Sequence, residues 1–166
     1  MLRIINILHD TTVDGPGFRT SIYAAGCRHA CPGCHNPQSW PRWAGRDMSV
    51  GEVLMDVLSD PFAHVTFTGG DPIFQAVEFA RLAAEIKRFS DKTIWCYTGF
   101  TFERLLANKM QLEGVERLLP LLDVVVDGPY VEMLRDTELL FRGSSNQRII
   151  DVQKSLRLGR TISWQR

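Results

Sequence analysis

Three of the four cysteines in this 166-residue chain lie within eight consecutive positions. They are Cys27, Cys31 and Cys34, whereas Cys96 falls much later, in a segment that reads as a buried strand and suits a small core residue. Three close cysteines cannot all pair among themselves, which argues against a disulfide framework. Three thiolates on one loop instead indicate a soft metal ion or an iron–sulfur cluster.

The number of cysteines distinguishes between these two kinds of site. A structural zinc site requires four ligands, commonly in two short pairs, and this chain has one triplet and no second pair. His29 and His35 could in principle supply a fourth ligand, so zinc stays as the alternative. A 4Fe–4S cluster normally takes four cysteines, so three leave one iron atom open. An open metal position is where a substrate binds.

The composition is that of an ordinary globular protein, with 45% hydrophobic and 23% charged residues. Nineteen basic residues balance nineteen acidic ones, which argues against a dedicated nucleic-acid binder. The chain has no run of about 18 apolar residues, and Met1–Asp14 does not read as a signal peptide. We therefore expect a cytoplasmic protein with no membrane span and no nucleic-acid partner.

The balanced net charge conceals an asymmetry along the chain. Residues 142–166 contain six basic residues and one acidic residue, whereas residues 1–141 contain 13 basic and 18 acidic residues. The basic C-terminal tail, about residues 151–166, could attract an acidic partner surface. A solvated tail of no consequence is the alternative.

Strand-like and helix-like segments alternate along the chain. A capping-box pattern at Ser49 and Glu52 predicts the start of one helix, and further helices are expected after Pro72 and from Thr101. Alternation implies right-handed βαβ crossovers and a parallel sheet. The chain is too short for a complete barrel of about 250 residues, so we predict an α/β fold, a partial open (βα) barrel of about five or six units in one domain. Strands are predicted at 20–25, 64–68, 93–97, 123–126 and 148–150.

Polar motifs follow three of the predicted strands, at Gly69–Pro72, Thr98-Gly99 and Asp127-Gly128. Ligands of such sheets lie at the carboxyl ends of the strands, so the three motifs predict a single cofactor site. The glycines permit close approach of the backbone to a ligand, and Asp127 could present an exposed carboxylate. Each motif can also be plain turn chemistry, with Asp71 capping the helix that follows.

The spacing of Cys27, Cys31 and Cys34 resembles the cluster motif of the radical S-adenosylmethionine (SAM) superfamily. In that superfamily the three cysteines hold a 4Fe–4S cluster, SAM binds the open iron, and one electron cleaves SAM to methionine and a 5′-deoxyadenosyl radical. The resemblance implies a partial barrel of the radical SAM type, with a cluster loop at 26–36. Many members have an aromatic residue where this chain has Gly33, but the Cys-Pro-Gly-Cys activase branch tolerates the glycine.

Further segments resemble proteins that activate glycyl radical enzymes. Residues 14–19 (DGPGFR) resemble their D-G-P-G-x-R turn, and Gly69–Asp71 resembles the Gly-Gly-Glu-like motif that holds the amino group of SAM. Residues 141–148 (FRGSSNQR) resemble the R-G-S-x-N-Q segment of anaerobic ribonucleoside-triphosphate reductase activating proteins. The SAM-binding residues implied in this way are Gly69, Gly70, Asp71, Thr98, Gly99 and Asp127. Possible contacts with SAM or a partner are Arg19, His35, Asn36, Arg142, Ser144, Asn146 and Arg148.

The resemblance implies an enzyme that abstracts hydrogen from a glycine Cα on the catalytic subunit of anaerobic (class III) ribonucleotide reductase, leaving a glycyl radical. The electron would come from a donor such as flavodoxin or ferredoxin. Three alternatives stay open. They are activation of another glycyl radical enzyme such as pyruvate formate-lyase, radical SAM chemistry on a small molecule, and a non-catalytic zinc-binding interaction module.

Overall fold

The computed structural model describes residues 1–107 and 111–166. The strands are β1 (Leu2–Thr11), β2 (Arg19–Ala24), β3 (Arg46–Met48), β4 (His64–Gly69), β5 (Ile94–Tyr97), β6 (Val124–Asp127) and β7 (Arg148–Asp151). The helices of the described residues are α1 (Val50–Ser59), α2 (Ala76–Phe89), α3 (Phe102–Ala107), α4 (Val115–Leu118) and α5 (Val152–Leu158).

The seven strands form one mixed sheet in the order β3-β1-β2-β4-β5-β6-β7. The four central strands β2, β4, β5 and β6 are parallel neighbours, whereas β1, β3 and β7 pair antiparallel at the two edges. The expectation of a parallel sheet is therefore confirmed for the centre and wrong for the edges. The β1–β2 connection is too short for a crossover, since parallel neighbours need a dozen or more connecting residues.

Five strands and the start of one helix agree closely with the sequence predictions, and β1 and β3 were not predicted. The capping box at the start of α1 is confirmed, because Ser49 Oγ accepts from Glu52 N and Glu52 accepts from Ser49 N. A helical or irregular stretch is also predicted up to Leu119-Pro120. Its residues 108–110 lie outside the described residues.

The two faces of the sheet differ in chemistry. One face packs against the helices, where Phe67 of β4 meets Phe79 of α2 with ring centroids 4.7 Å apart. Cys96 lies in this core and is fully buried, as predicted for a small core residue. The opposite face presents polar and aromatic side chains, among them Ser21, Tyr23, Thr66, Thr68, Trp95 and Tyr97, which alternate with the core residues along their strands.

Arg19 is fully buried on this second face. Its guanidinium donates to Thr66 Oγ1 and to the Val65 carbonyl, both at 2.6 Å, and lies 5.3 Å from the centroid of the Trp95 ring. The prediction that Arg19 contacts SAM or a partner is wrong, because the side chain is enclosed and its donors are taken by neighbouring strands.

The C-terminal residues fold against the sheet rather than extend from it. Asp151 caps α5, and Trp164 packs against Trp95 with ring centroids 5.1 Å apart. The segment predicted as a basic tail is therefore an ordered part of the fold. Within residues 1–107 and 111–166, no helix is both long and apolar enough to cross a membrane.

Candidate functional site

A cavity of about 200 Å³ lies between the loop after β2 and the carboxyl ends of β4, β5 and β6. The predicted convergence of strand-end motifs is thus observed, because parallel strands present their carboxyl ends at one edge of a sheet. Ten of the predicted site residues line this cavity: Cys27, Cys31, Cys34, His35, Asn36, Gly69, Gly70, Asp71, Thr98 and Gly99.

The three cysteines are half-buried on a loop that its own backbone holds in place. Gly26 adopts φ +100°, a value that favours glycine, and its N–H donates to the Ser39 carbonyl at 2.7 Å. The N–H of Cys27 donates to the Trp40 carbonyl at 3.0 Å, and a turn joins Cys34 N to Cys31 O at 3.1 Å. The spacing of the cysteines is therefore built into a defined loop.

Burial disfavours the thiolate forms of Cys27 and Cys31 and so raises the pKa of each thiol. Burial raises the pKa of Cys27 to about 11, although N–H groups of His29 and Ala30 at its sulfur oppose the shift. Burial also raises the pKa of Cys31, against a hydrogen bond from the N–H of Tyr130. A metal or cluster would have to displace these protons, as is usual for thiolate ligands.

The chemistry of this loop fits an iron–sulfur cluster. Soft thiol donors line one cavity, and backbone N–H groups point at their sulfurs, including Asn36 N at 3.4 Å from Cys34 Sγ. Hydrogen bonds to sulfur are among the features that set cluster potentials. Within the described residues, no three His, Cys, Asp or Glu side chains converge on one metal ion. In a 4Fe–4S cluster each cysteine binds a different iron atom. The three cysteines therefore need not converge on one metal ion to hold such a cluster.

The Gly69-Gly70 pair closes the cavity against the end of β2. Gly70 N donates to Ala24 O at 2.8 Å, and Asp71 N donates to Gly26 O at 3.0 Å. A Cβ on Gly69 would lie 2.7 Å from Ala24 N, and one on Gly70 would lie 2.6 Å from Gly26 O. The close approach expected of these glycines is therefore made to the protein's own backbone, next to Cys27.

Asp71 connects three parts of the site and is almost fully buried. Its Oδ1 accepts from Ile73 N at 2.9 Å. This is the helix-capping role that the sequence predicts for Asp71 as the alternative to a cofactor contact. Its Oδ2 accepts from Thr98 Oγ1 at 2.8 Å and from Gly99 N at 3.0 Å, and lies 2.7 Å from His29 Nε2. This carboxylate thus joins the cysteine loop to the ends of two strands.

The backbone conformation at position 33 favours glycine. Gly33 has φ +72°, and a Cβ there would meet the carboxyl group of Glu132 at 2.7 to 3.0 Å. An aromatic residue at this position, as in many radical SAM proteins, would have to adopt the left-handed backbone conformation and displace the exposed Glu132 side chain. The nearby Tyr130 ring packs against His35 with centroids 4.9 Å apart, and both residues line the cavity.

Asp127 does not present a carboxylate to the cavity. Its side chain is 1% exposed, it accepts from Phe102 N at 2.7 Å, and Arg148 donates to both of its oxygens at 3.0 and 2.5 Å. The prediction of an exposed Asp127 that meets the cofactor is wrong, because the carboxylate caps α3 and pairs with Arg148. Gly128 lines the cavity in its place.

The four predicted contact residues of the 141–148 segment also lie outside the lining of this cavity. Ser144 is buried and accepts from Val131 N, and Asn146 donates to Pro129 O at 2.8 Å. Arg142 donates to Gln147 O at 2.8 Å, and Arg148 is held by Asp127. These side chains shape the loop that places Gly143 and Gln147 in the cavity wall, and their contact with SAM or a partner stays a prediction.

Several residues of the cavity wall were not predicted as contacts of SAM or a partner, notably Asp14, His29, Tyr97, Tyr130 and Gln147. Asp14 belongs to the D-G-P-G turn, and its Oδ2 accepts from the hydroxyls of Ser21 at 2.9 Å and Tyr23 at 3.3 Å. Asp14 and Gln147 could have been predicted as site residues, because they lie in the segments 14–19 and 141–148 that resemble the activating proteins.

Comparison with known proteins assigns the chain to a class that agrees with this geometry. Residues 13–150 match the family described as "4Fe-4S single cluster domain", which supports an iron–sulfur cluster in this protein. The class is thus an iron–sulfur protein with a mixed α/β fold.

Relatives identify the family within this class. A protein of Pasteurella multocida is 35% identical over 146 residues, covering 82% of this chain and 89% of the relative. One from Enterobacteria phage T4 is 38% identical over 143 residues (82% and 86%), and one from Escherichia coli K12 is 33% identical over 143 residues (81% and 89%). All three are named anaerobic ribonucleoside-triphosphate reductase-activating protein. The chain belongs to this family, which confirms the resemblance seen in the sequence.

Proposed function

We propose that this protein is a radical SAM activase that installs a glycyl radical on anaerobic ribonucleotide reductase. The observation that carries the proposal is the cavity in which three half-buried cysteines face the ends of the central parallel strands. The names of the relatives supply the partner, since each is described as an activator of this reductase. Residues 1–166 would then act as one radical SAM domain, a partial open barrel, in the reducing cytoplasm.

Cys27, Cys31 and Cys34 are the proposed ligands of a 4Fe–4S cluster, which leaves one iron for SAM. When bound, the cluster and SAM supply the one-electron chemistry that generates a 5′-deoxyadenosyl radical able to take hydrogen from a glycine Cα. The chain's own residues hold the reacting groups and exclude water and stray hydrogen donors.

The strand-end residues have different parts in this proposal. Gly69, Gly70 and Gly99 are proposed to bind SAM through their backbone, which the absence of side chains keeps close to the cysteine loop. Asp71 positions that loop through His29, and Thr98 holds the Asp71 carboxylate. His35 and Asn36, at the exposed end of the loop, are proposed to contact SAM or the partner.

Metal content and spectroscopy test the proposal against its zinc alternative. Anaerobically purified protein should be brown and contain iron and sulfide, and Cys31→Ala should abolish reductive cleavage of SAM. Cys96→Ala is the matched control, because Cys96 is buried in the core and should leave cleavage intact. A colourless protein with one tightly bound zinc ion would overturn the proposal.

The partner is tested by mixing reduced protein, SAM and anaerobic ribonucleotide reductase. A glycyl radical doublet in the EPR spectrum supports the proposal. A doublet on pyruvate formate-lyase alone would favour that enzyme as the partner, and SAM cleavage with neither protein activated would favour a small-molecule substrate.

A further inference from the structure

A second cavity, of about 580 Å³, adjoins the proposed cluster site. The two cavities share Cys27 and Trp40 in their walls. The wall of the second cavity also includes Arg28, Arg42 and Phe74. One proposed cluster ligand is therefore reached from two directions, and the site described above accounts for only one of them.

The rim of the second cavity is cationic. Arg28 and Arg42 are exposed, and no carboxylate of the described residues lies within 4.0 Å of either guanidinium. Arg28 lies 5.6 Å from the centroid of the Phe74 ring, and the side chain of Arg42 passes within 4 Å of the Cβ position of Gly26, directly before Cys27. Trp43, beside Arg42, is 80% exposed. We call Arg28, Arg42 and Trp43 the arginine rim.

None of the described carboxylates near this rim is paired with Arg28 or Arg42. Glu78, in the cavity wall, is paired with the N-terminal ammonium of Met1 at 3.5 Å and with Arg81 at 3.0 Å. Asp47 is paired with Arg3 at 3.2 Å, and Glu113, which also lines the cavity, forms no ion pair with Arg28 or Arg42. This positive rim occurs in the part of the chain, residues 1–141, that carries 13 basic and 18 acidic residues overall. The positive charge of the rim is therefore a local property of this surface and does not follow from the net charge of residues 1–141.

We propose that the arginine rim is the docking surface for an acidic one-electron carrier protein that reduces the cluster. This inference rests on the proposed function, in which the first cavity must admit SAM and the glycine segment of the reductase. An electron carrier must then reach the cluster from another side of the protein. The second cavity provides that route, because Cys27 lies in its wall. One electron leaves the carrier and enters the cluster, so the carrier is oxidised and the cluster reduced by one electron, with no bond formed or broken.

Electrostatic steering makes the proposal testable, because charges on a rim act mainly on the association rate and lose their effect in high salt. We would use a reduced flavodoxin, a small acidic flavoprotein, as the probe. Stopped-flow absorbance would follow reduction of the reconstituted cluster. Titration of the protein with the flavodoxin would give the dissociation constant of their complex. Arg42→Glu should lower the second-order rate constant about tenfold or more at low ionic strength, and the difference should disappear in high salt.

Three controls separate docking from damage to the site. Arg42→Lys keeps the charge and should react nearly as the natural protein does. Arg157→Glu makes the same charge change on α5, which packs near the opposite edge of the sheet, and should have little effect. Photoreduced 5-deazaflavin, a small donor, should reduce the natural protein and Arg42→Glu at equal rates.

Each outcome has a distinct meaning. An unchanged flavodoxin rate in Arg42→Glu, or an equal loss in Arg157→Glu, would overturn the docking surface. Slower reduction by deazaflavin as well would also overturn it, since the substitution would then act on the cluster. If SAM is not cleaved even with deazaflavin as the donor, the proposed function fails instead.

Discussion

His29 Nε2 lies 2.7 Å from Asp71 Oδ2, and this contact joins the cysteine loop to the end of β4. Asp71 is almost fully buried, and the same oxygen accepts from Thr98 and Gly99. A buried carboxylate with several donors is costly to remove, because each donor is left without a partner. The shape of the site therefore depends on one side chain that needs no contact with a ligand.

Asp71→Ala should lower the free energy of unfolding of the metal-free protein by about 3 kcal/mol or more. The substitution leaves the donors on Ile73, Thr98 and Gly99 without a hydrogen-bond acceptor. Anaerobic urea denaturation measures the change. The matched control is Asp56→Ala, which breaks a half-exposed His9–Asp56 contact of 3.0 Å and should cost less than about 1 kcal/mol. Equal losses in the two variants would contradict the linking role of Asp71.

Gly99→Ala should weaken the His29 contact, because the new Cβ would lie 2.5 Å from the His29 ring. We expect a loss of about 2 kcal/mol in the free energy of unfolding. The loss should shrink markedly when Gly99→Ala is made in a His29→Ala background, where the ring is absent. Gly51→Ala is the control of opposite sign, since it lies on the exposed side of α1 and should stabilise by about 0.5 to 1 kcal/mol. Additive losses in the double variant would refute the steric explanation.

Arg19→Met should destabilise the protein by about 3 kcal/mol, although it keeps the length and apolar stem of the side chain. The substitution removes donors to Thr66 Oγ1 and to the carbonyls of Val65 and Thr93. Thermal unfolding monitored by circular dichroism measures the effect, and Arg117→Met, at an exposed position, should change little. If Arg19→Met unfolds like the natural protein but fails to cleave SAM, then our exclusion of Arg19 from the cofactor site is wrong.

Glu103 should make the fold more stable above pH 4.5 than in strong acid. Hydrogen bonds from Arg148 and then Thr161 lower the pKa of Glu103 to about 2, from 4.5. A folded-state pKa below the unfolded value contributes stability that is complete above the unfolded pKa and is lost as the pH falls toward 2. Because the side chain is more than half exposed, we expect Glu103→Gln to cost only about 1 kcal/mol at pH 7.

Urea denaturation of the natural protein and Glu103→Gln across this range measures the difference. The gap between the two free energies of unfolding should narrow steadily as the pH falls from 4.5 toward 2. Glu138→Gln, at an exposed position, is the control and should show no such dependence. A constant gap for Glu103→Gln would mean that its pKa is not lowered in the folded protein.

The spacing of the cysteine loop, the alternation of the central strands and helices, and the strand ends that carry polar motifs could all be predicted from the sequence. These are local properties, set by hydrophobic periodicity and turn chemistry over a few residues. That is why the capping box at Ser49, the buried state of Cys96 and the convergence of Gly69, Thr98 and Gly128 on one cavity could be predicted.

The side chains that meet across the fold could not be predicted from the sequence. Asp127 faces Arg148 instead of the cavity, Arg19 is enclosed between strands, and the Glu132 carboxyl takes the space beside Gly33. Each of these contacts joins residues far apart in the chain, and a polar side chain at a strand end has the same local pattern whether it binds a ligand or another residue. The choice is made by competition for hydrogen-bond partners and by packing, which exist only once the sheet has formed.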